Sequence, residues 1–228
     1  MADYPPVEAK VWGPYACFTR PELKAERVSY PVMTPSAARG VLEAIFWKPE
    51  FSWQIREIHV LREIQHFSIV RNEIKRKIKI STAQRRAEIG NGYVADQDRT
   101  QRHTLALRDV AYLVKADVML SAHGTDSVAK YRDQFRRRVS RGNCYHRPYL
   151  GCREFAAFFG PADGSEHPIK SSGDLGLMLF DMEYPADGSG RGVPKFFVAA
   201  LDRGRLIIPA RLYSRRNGPD ATESVGDF

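Results

Sequence analysis

The segment from residue 110 to residue 120 constrains the fold most, because its apolar side chains alternate without a break. The alternating residues are Val110, Tyr112, Val114, Ala116, Val118 and Leu120. A period of two predicts a β-strand with one buried face. Soon afterwards the apolar spacing changes to three, four and four, at Val128, Tyr131, Phe135 and Val139. This spacing predicts an amphipathic helix packed on the sheet, with Gly142 as its C-terminal cap.

A second helix is indicated near the start of the chain. Thr34 is placed to be its N-cap and Pro35 its first residue, and Lys48–Pro49 end it. Strands are predicted at residues 7–12, in two stretches of a long hairpin between 53 and 79, and between 148 and 160. The order β-α-β-β-β-α-β predicts an α+β fold in which residues 1–162 form a ferredoxin-like (RRM-like) domain.

Two further stretches divide the chain. Residues 82–107 are polar and contain Gly90-Asn91-Gly92, which predicts an irregular, mobile loop. Residues 161–174 are rich in Gly, Ser, Asp and Pro, which predicts a domain boundary. Short apolar runs at 175–182, 195–201 and 205–208 then predict a small C-terminal antiparallel β-sheet domain over residues 163–228, with a frayed tail.

Several classes of protein do not fit this sequence. It has no run of 18 or more apolar residues, so a membrane span is not expected. Its start does not resemble a secretory signal, and three cysteines are a sparse set that favours the reducing cytoplasm. It has no Walker loop, dinucleotide fingerprint or Gly-x-Ser-x-Gly elbow. Cys144, His146 and Cys152 match no known metal-ligand spacing, so we expect neither a metal site nor a cofactor.

The net charge of +8 is concentrated in two basic blocks. Residues 71–86 hold seven basic residues and one acid, and residues 132–147 hold six and one. Such blocks indicate a surface that binds a polyanion, although a solvated face is the alternative. The strand at 110–120 lacks the Lys/Arg-Gly-aromatic motif of RNA-recognition domains, so we assign RNA binding to basic side chains elsewhere. The candidates are Lys48, Lys75, Arg76, Lys77, Arg132, Arg136, Arg137, Arg141 and Arg147.

Three stretches of the sequence resemble one known family. They are residues 13–49 (GPYACFTRPELKAERVSYPVMTPSAARGVLEAIFWKP), residues 136–159 (RRRVSRGNCYHRPYLGCREFAAFF) and residues 174–185 (DLGLMLFDMEYP). All three are similar to the CRISPR-associated Cas5 family, subtype d, the repeat-RNA endoribonuclease of type I-C systems within the RAMP superfamily. The resemblance runs from about residue 7 to residue 210, and its Tyr-Leu-Gly-Cys-Arg-Glu-Phe stretch is highly specific.

This resemblance implies a ferredoxin-like domain followed by a small C-terminal β-sheet. It also implies metal-independent cleavage of the CRISPR repeat in precursor RNA, by attack of a ribose 2′-hydroxyl on the adjacent phosphate. The expected products carry a 2′,3′-cyclic phosphate and a free 5′-hydroxyl. The guide RNA is expected to stay bound through its 5′ handle, in an interference complex with backbone and large subunits. Such chemistry needs a base, an acid and cations around the phosphorane.

The resemblance also implies a catalytic set, a tyrosine late in the first helix and a Lys-His pair opening the second. These positions fall on Phe46, Lys130 and Tyr131, so two of the three differ from the family pattern. Phe46 has no hydroxyl, and its place at the border of the apolar stripe predicts partial exposure. Tyr131 is better suited to donate a proton than to accept one, and it also fits plain core packing. His123, just before the helix, is a substitute acid or base that the family pattern does not predict.

Three functions stay open at this point. In the first, the chain cuts repeat RNA with Lys130, Tyr131 and a rearranged partner. In the second, it only binds the handle of the crRNA and supports complex assembly. In the third, it binds double-stranded DNA non-specifically through the basic blocks. We favour cleavage, because the resemblance implies a subtype in which no dedicated alternative processing enzyme is expected.

Overall fold

The computed structural model describes residues 4–75, 80–90, 98–184 and 190–214. In chain order its elements are β1 (Val7–Ala16), β2 (Arg27–Val28), α1 (Pro35–Ile45), β3 (Phe51–Val60), β4 (His66–Ile74), α2 (Ile80–Glu88), β5 (Arg99–Leu120), α3 (Val128–Arg141), β6 (Phe158–Gly160), β7 (Gly173–Glu183), β8 (Val193–Asp202), β9 (Arg205–Ile207) and α4 (Arg211–Ser214). None of the helices in these ranges is both long and apolar enough to cross a membrane.

Strand β5 holds the sheet together, because it is 22 residues long and pairs along its whole length. β1 and β3 flank it, both antiparallel, and β4 pairs with its first half. The order across the sheet is β6-β1-β5-β3-β9-β8-β7, with β2 and β4 bonded to β5 outside this path. β9 pairs with β3 where Leu206 lies opposite Ile58, so the C-terminal strands continue the same sheet. The hydroxyl of Tyr213 bonds the backbone N–H and carbonyl of Ile55 (2.8 and 3.0 Å), which ties α4 to β3.

The two helices that the sequence predicts with caps are both present. Thr34 accepts a hydrogen bond from the backbone N–H three residues later (3.3 Å), and α1 starts directly after it. α3 ends at Gly142, which takes the left-handed conformation (φ 65°) that glycine adopts without strain. α1 and α3 pack against each other and against the sheet. In this layer the rings of Phe135 and Trp53 lie 4.7 Å apart between centroids.

The prediction of an irregular loop over residues 82–107 is wrong. α2 covers Ile80–Glu88 and β5 begins at Arg99, while residues 91–97 lie outside the described residues. β4 pairs with this part of β5 in an unbroken register, as far as Ile74 opposite Arg99. Residues of the ribbon alternate between exposed and half-buried, and only Thr104, Ala106 and Leu107 at its inner end are buried. Backbone hydrogen bonds therefore hold most of the ribbon, and no apolar alternation marks it.

The predicted hairpin between 53 and 79 also needs correction. β3 and β4 exist, but each pairs with β5 instead of with the other. They follow one another along one edge of β5, since Val60 lies opposite Tyr112 and His66 lies opposite Leu107. A strand as long as β5 has enough backbone N–H and C=O groups to pair with β3 along one half and with β4 along the other.

The stretch between 148 and 160 is mostly a turn, where the sequence predicts a strand. That prediction is wrong except for β6 at the end of the stretch. Leu150 donates its N–H to the carbonyl oxygen of Phe155 (2.8 Å), which closes a loop. Within the loop, Gly151 has a φ of 84°, and an added Cβ would lie 2.1 Å from the carbonyl oxygen of Cys17. Only glycine fits there, and the close approach holds the loop against the residues that follow β1.

Candidate active site and nucleic-acid interface

The junction between the end of α1 and the start of α3 brings Phe46 and Tyr131 together, with ring centroids 6.5 Å apart. The prediction that Phe46 is partly exposed is wrong, because only 3% of it reaches solvent. α1 ends one residue earlier, and Phe46 takes an extended conformation (φ −154°, ψ 119°). Its ring therefore turns inward against Phe51, at 5.4 Å between centroids. The indole N–H of Trp53 donates to the Phe46 carbonyl oxygen (2.9 Å), which fixes this turn of the chain.

Tyr131 lies on the inner face of α3 and is fully buried, 5.0 Å from Phe51 between ring centroids. Its hydroxyl has no partner at ordinary hydrogen-bond distance within the described residues, although the Asp126 carboxylate lies near enough to interact with it. Burial raises the pKa of Tyr131, and the carboxylates of Glu50 and Asp126 raise it further. The phenol therefore stays protonated at neutral pH. It can touch RNA only after a movement of the residues that cover it.

Lys130, the neighbour of Tyr131 on α3, faces solvent. Its ammonium group donates to both carboxylate oxygens of Asp126, each at 2.8 Å. This ion pair raises the pKa of Lys130 and lowers the pKa of Asp126. Lys130 is therefore a charged donor, suited to phosphate oxygens or to a leaving oxygen rather than to the role of a base.

His123 lies exposed in the loop before α3, with its Nε2 atom 3.1 Å from the carbonyl oxygen of Pro49. A carbonyl oxygen can only accept a hydrogen bond, so Nε2 carries a proton, and in the neutral ring Nδ1 is the nitrogen with a lone pair. The contact joins this loop to the segment that contains Lys48. His123 thus presents a nitrogen that can accept a proton, on the same loop that leads into Lys130.

Glu50 is a residue of this junction that sequence reasoning missed. One of its carboxylate oxygens is buried without a hydrogen-bond partner in the described part of the chain. Its charge raises the pKa of both Tyr131 and Lys130. Its backbone carbonyl accepts a hydrogen bond from the N–H of Ser121 (2.9 Å), which draws the loop before α3 onto the start of β3. The available signal was an acid directly after Pro49, in the short segment between the first helix and the next strand.

Most of the predicted RNA-binding residues face solvent. The exposed ones are Lys75, Arg136, Arg137, Arg141 and Arg147, and Lys48 is partly exposed with its Nζ 5.7 Å from the Tyr131 ring centroid. Arg132 differs, because it is buried, donates to the backbone carbonyl of Pro5 and lies 5.2 Å from the ring of Tyr4. It holds the N-terminal segment against α3. Arg76 and Lys77 lie outside the described residues.

Replacing Arg136, Arg137 and Arg141 together by alanine should make RNA binding less sensitive to salt. Each phosphate contact contributes about −0.7 to −0.9 to the slope of log K against log salt, so the slope should become shallower by about two to three units. Fluorescence anisotropy across a salt series measures the slope. The control is a charge-matched triple variant in the C-terminal part of the chain, at Lys170, Arg203 and Arg205. An unaltered slope would mark the outer face of α3 as solvated surface.

The Cys144, His146 and Cys152 cluster is not brought together. Cys152 is buried and its sulfur approaches the carbonyl oxygen of Cys17 (3.6 Å), whereas Cys144 is exposed. Arg27 donates to the Cys152 sulfur at 3.4 Å. Across residues 4–75, 80–90, 98–184 and 190–214, no group of three or more His, Cys, Asp or Glu side chains is arranged to hold a metal ion.

Comparison with known families decides the relationship of this chain. Residues 7–206 match the sequence model of CRISPR-associated protein Cas5, subtype d (Cas5d). The chain belongs to the Cas5d family. A protein of Thermus thermophilus, named CRISPR pre-crRNA endoribonuclease Cas5d, is 46% identical over 222 residues, 91% of this chain and 93% of its own. A protein of the same name from Mannheimia succiniciproducens is 42% identical over 217 residues, 89% of this chain and 94% of its own.

Two solved structures share the fold of this Cas5d chain. A CRISPR-associated protein superposes with a TM-score of 0.64 at 21% identity, covering 90% of this chain and 92% of its own. A functionally uncharacterised protein of Streptococcus mutans superposes with a TM-score of 0.63 at 20% identity, covering 90% and 93%. At such identities the likeness concerns the fold alone, a mixed α+β structure around a curled, mainly antiparallel sheet.

Proposed function

We propose that this Cas5d protein is an endoribonuclease that cuts CRISPR repeat RNA in precursor transcripts. The observation that carries the proposal is its identity of 46% and 42% to two relatives named pre-crRNA endoribonucleases, which it matches over 91% and 89% of its length. The junction of α1 and α3 supports it. There Lys130 supplies a fixed positive charge, and His123 supplies a nitrogen that can accept a proton.

The proposed reaction is attack of the ribose 2′-hydroxyl on the adjacent phosphorus. His123 Nδ1 takes the proton of the 2′-hydroxyl, the P–O2′ bond forms and the P–O5′ bond breaks. Lys130 neutralises the charge that builds on the phosphorane oxygens and gives a proton to the leaving 5′-oxygen. The products are a 2′,3′-cyclic phosphate and a 5′-hydroxyl. Tyr131 and Phe46 are buried, so in this mechanism they hold α1 and α3 in place.

The mechanism requires no divalent metal. Asp126, a carboxylate of the site, is already neutralised by the ammonium group of Lys130, which donates to both of its oxygens at 2.8 Å. A divalent cation bound there would have to displace this ammonium group. The displacement would remove the group that supplies the positive charge and the proton in the proposed reaction.

The proposal extends to what happens after cleavage. The guide RNA stays bound through its 5′ handle, and the protein serves as a subunit of a type I-C interference complex with backbone and large subunits. The exposed arginines of α3 support this role, because they offer contacts for phosphates beyond the cleavage site. Contacts of that kind hold a product in register without reading its sequence.

For the fold, we propose that residues 1–162 form a ferredoxin-like domain and residues 163–228 a small second domain. The order β6-β1-β5-β3, antiparallel at each step with α1 and α3 as crossover helices, supports the first part. The second part is supported by the pairing of β7 with β8 along most of their length. The two domains would then meet where β9 pairs with β3.

A second candidate function is binding of the crRNA handle without cleavage. It is favoured by the buried hydroxyl of Tyr131 and by Phe46, which together leave two family positions without an accessible acid or base. In that case the same surface grips the RNA and supports assembly of the complex. Non-specific binding of double-stranded DNA rests on the two basic blocks alone.

Purified protein should cut its cognate repeat RNA in the presence of a chelator and leave a 2′,3′-cyclic phosphate. Mass spectrometry of the fragments identifies both new ends. Tight binding of uncut RNA would support the handle-binding function instead. Loss of cleavage on chelation, with rescue by magnesium or manganese, would contradict the mechanism. Competition with random duplex DNA separates both RNA functions from non-specific duplex binding.

A further inference from the structure

Two large aromatic side chains stand exposed beside the candidate active site. Trp47 is 55% exposed and Tyr145 is 83% exposed. Tryptophan is highly buried on average, so an exposed one next to a site points to a binding surface. His146 follows Tyr145 in the chain, and the centroids of their rings lie 5.9 Å apart. None of these three side chains has a part in the mechanism described above.

Backbone hydrogen bonds bring both aromatics to the same helix end. The N–H groups of Tyr145 and His146 both donate to the carbonyl oxygen of Ala44, at 2.8 and 3.2 Å. Arg138 donates to the next carbonyl oxygen, that of Ile45, at 3.0 Å. The segment after α3 therefore caps the C-terminus of α1. The exposed Trp47 lies two residues beyond Ile45, the last residue of α1. A surface built on hydrogen-bonded backbone loses little conformational entropy when it binds a ligand.

The charges next to these rings are positive. Lys48 follows Trp47, Arg147 follows His146, and Arg141 ends α3. Flat rings bordered by cations suit unpaired nucleotides, because the bases stack on the rings and the phosphates are anionic. An acidic peptide would use the cations, but it has no regular row of flat faces to place on the rings.

We propose that Trp47 and Tyr145 form a stacking surface for unpaired bases of the RNA next to the cleavage site. This inference rests on the proposed function and adds recognition of single-stranded bases to it. Paired bases in an RNA duplex cannot present their faces to protein side chains, whereas unpaired bases can. Trp47 and Lys48 belong to one turn of the chain, so a base stacked on Trp47 lies at the edge of the site.

Anisotropy titrations with a short labelled oligoadenylate test this surface directly. Trp47→Ala and Tyr145→Ala should each weaken binding by about 10-fold, because one stacked base is lost in each. Trp47→Phe and Tyr145→Phe keep an aromatic face and should bind nearly as the parent does. The control is Tyr184→Ala, which removes another exposed tyrosine (67%), directly after the end of β7. An abasic strand of the same length should bind all variants alike, since it has phosphates but no bases.

Unchanged affinity for oligoadenylate in both alanine variants would overturn the inference. An equal loss of affinity for the abasic strand would also overturn it, because the surface would then bind through charge alone. A loss of affinity seen only with a polyglutamate peptide would overturn it too, because the surface would then bind a protein partner. Cleavage of repeat RNA is scored separately. Stacking without any cleavage rejects the proposed function alone, and cleavage that ignores both aromatics rejects this inference alone.

Discussion

Replacing Lys130 by alanine should slow single-turnover cleavage of repeat RNA by about 10²–10⁴-fold. Its side chain is 52% exposed, and its ammonium group is held in place by Asp126 at the start of α3. A charge fixed in this way can neutralise the phosphorane and protonate the leaving oxygen, and alanine removes both effects. Rapid-quench assays with protein in excess over RNA measure the rate of the chemical step. Stability should change little, because the lysine is exposed.

Lys195→Ala provides a matched control for this variant. Lys195 is 50% exposed and ion-paired with Glu183 at 3.0 Å, so its substitution removes a similar charge and a similar contact. It lies in β8, away from α1 and α3 in the chain, and its variant should cleave as the parent does. Cleavage by Lys130→Ala at the parent rate would place the active site elsewhere.

Asp126→Asn tests whether protonated Lys130 is the group that matters. Asp126 raises the pKa of Lys130, so asparagine should lower that pKa. The lysine then loses its proton at a lower pH than in the parent. The alkaline limb of the rate profile should therefore shift to lower pH, because the acid form becomes scarce earlier. An alkaline limb that does not move would assign this limb to another group.

Phe46→Ala should lower the free energy of unfolding by about 3–5 kcal/mol. The ring packs against Phe51 and Tyr131 (5.4 and 6.5 Å between centroids) and lies 5.3 Å from the guanidinium carbon of Arg138. Alanine would leave a cavity at the junction of the two helices, and the segment with Lys48 would lose its support. Urea denaturation measures the stability, and cleavage should fall as well.

Phe46→Tyr examines the same position without creating a cavity. Because the ring is buried, the added hydroxyl should cost about 1–3 kcal/mol if it finds no partner. For Phe46→Ala the matched control is Phe158→Ala in β6. The ring of Phe158 is half-exposed, so its removal should lower the free energy of unfolding much less. If Phe46→Tyr had the stability of the parent and cleaved faster, the site would accommodate the hydroxyl. That result would contradict the destabilisation expected from the burial of Phe46. An equal loss in both alanine variants would contradict the special role of the junction.

The start of α1 and the end of α3 could be predicted from sequence because their determinants are local. Thr34 and Gly142 each act within one turn of their own position, through a side-chain cap and a left-handed backbone. The inner face of α3 could be predicted as well, since the helical period alone places Tyr131 and Phe135 on one side. The proximity of Phe46 to α3, however, was available only through the family resemblance.

Other features depend on partners that are distant in sequence. The first half of β5 is held by β4, and none of its residues before Thr104 is buried, so its polar residues resemble a loop. Glu50 acquires its role only when the Ser121 loop and α3 fold over it. The exposure of Phe46 was misjudged for a local reason. The helix was predicted to continue to Lys48, whereas α1 ends at Ile45 and the extended conformation of Phe46 turns its ring inward.

The ion pair between Lys130 and Asp126 means that this lysine carries its own counterion. An ordinary surface cation is neutralised by mobile ions, which diffuse away when a phosphate takes their place. Asp126 cannot leave, because it is one helical turn away in the same chain. A phosphate at Lys130 must therefore compete with a tethered carboxylate that already accepts two hydrogen bonds at 2.8 Å. Free anions in solution compete weakly with Asp126 for Lys130. A phosphate of a bound RNA competes better, because the other contacts of the RNA hold it in place.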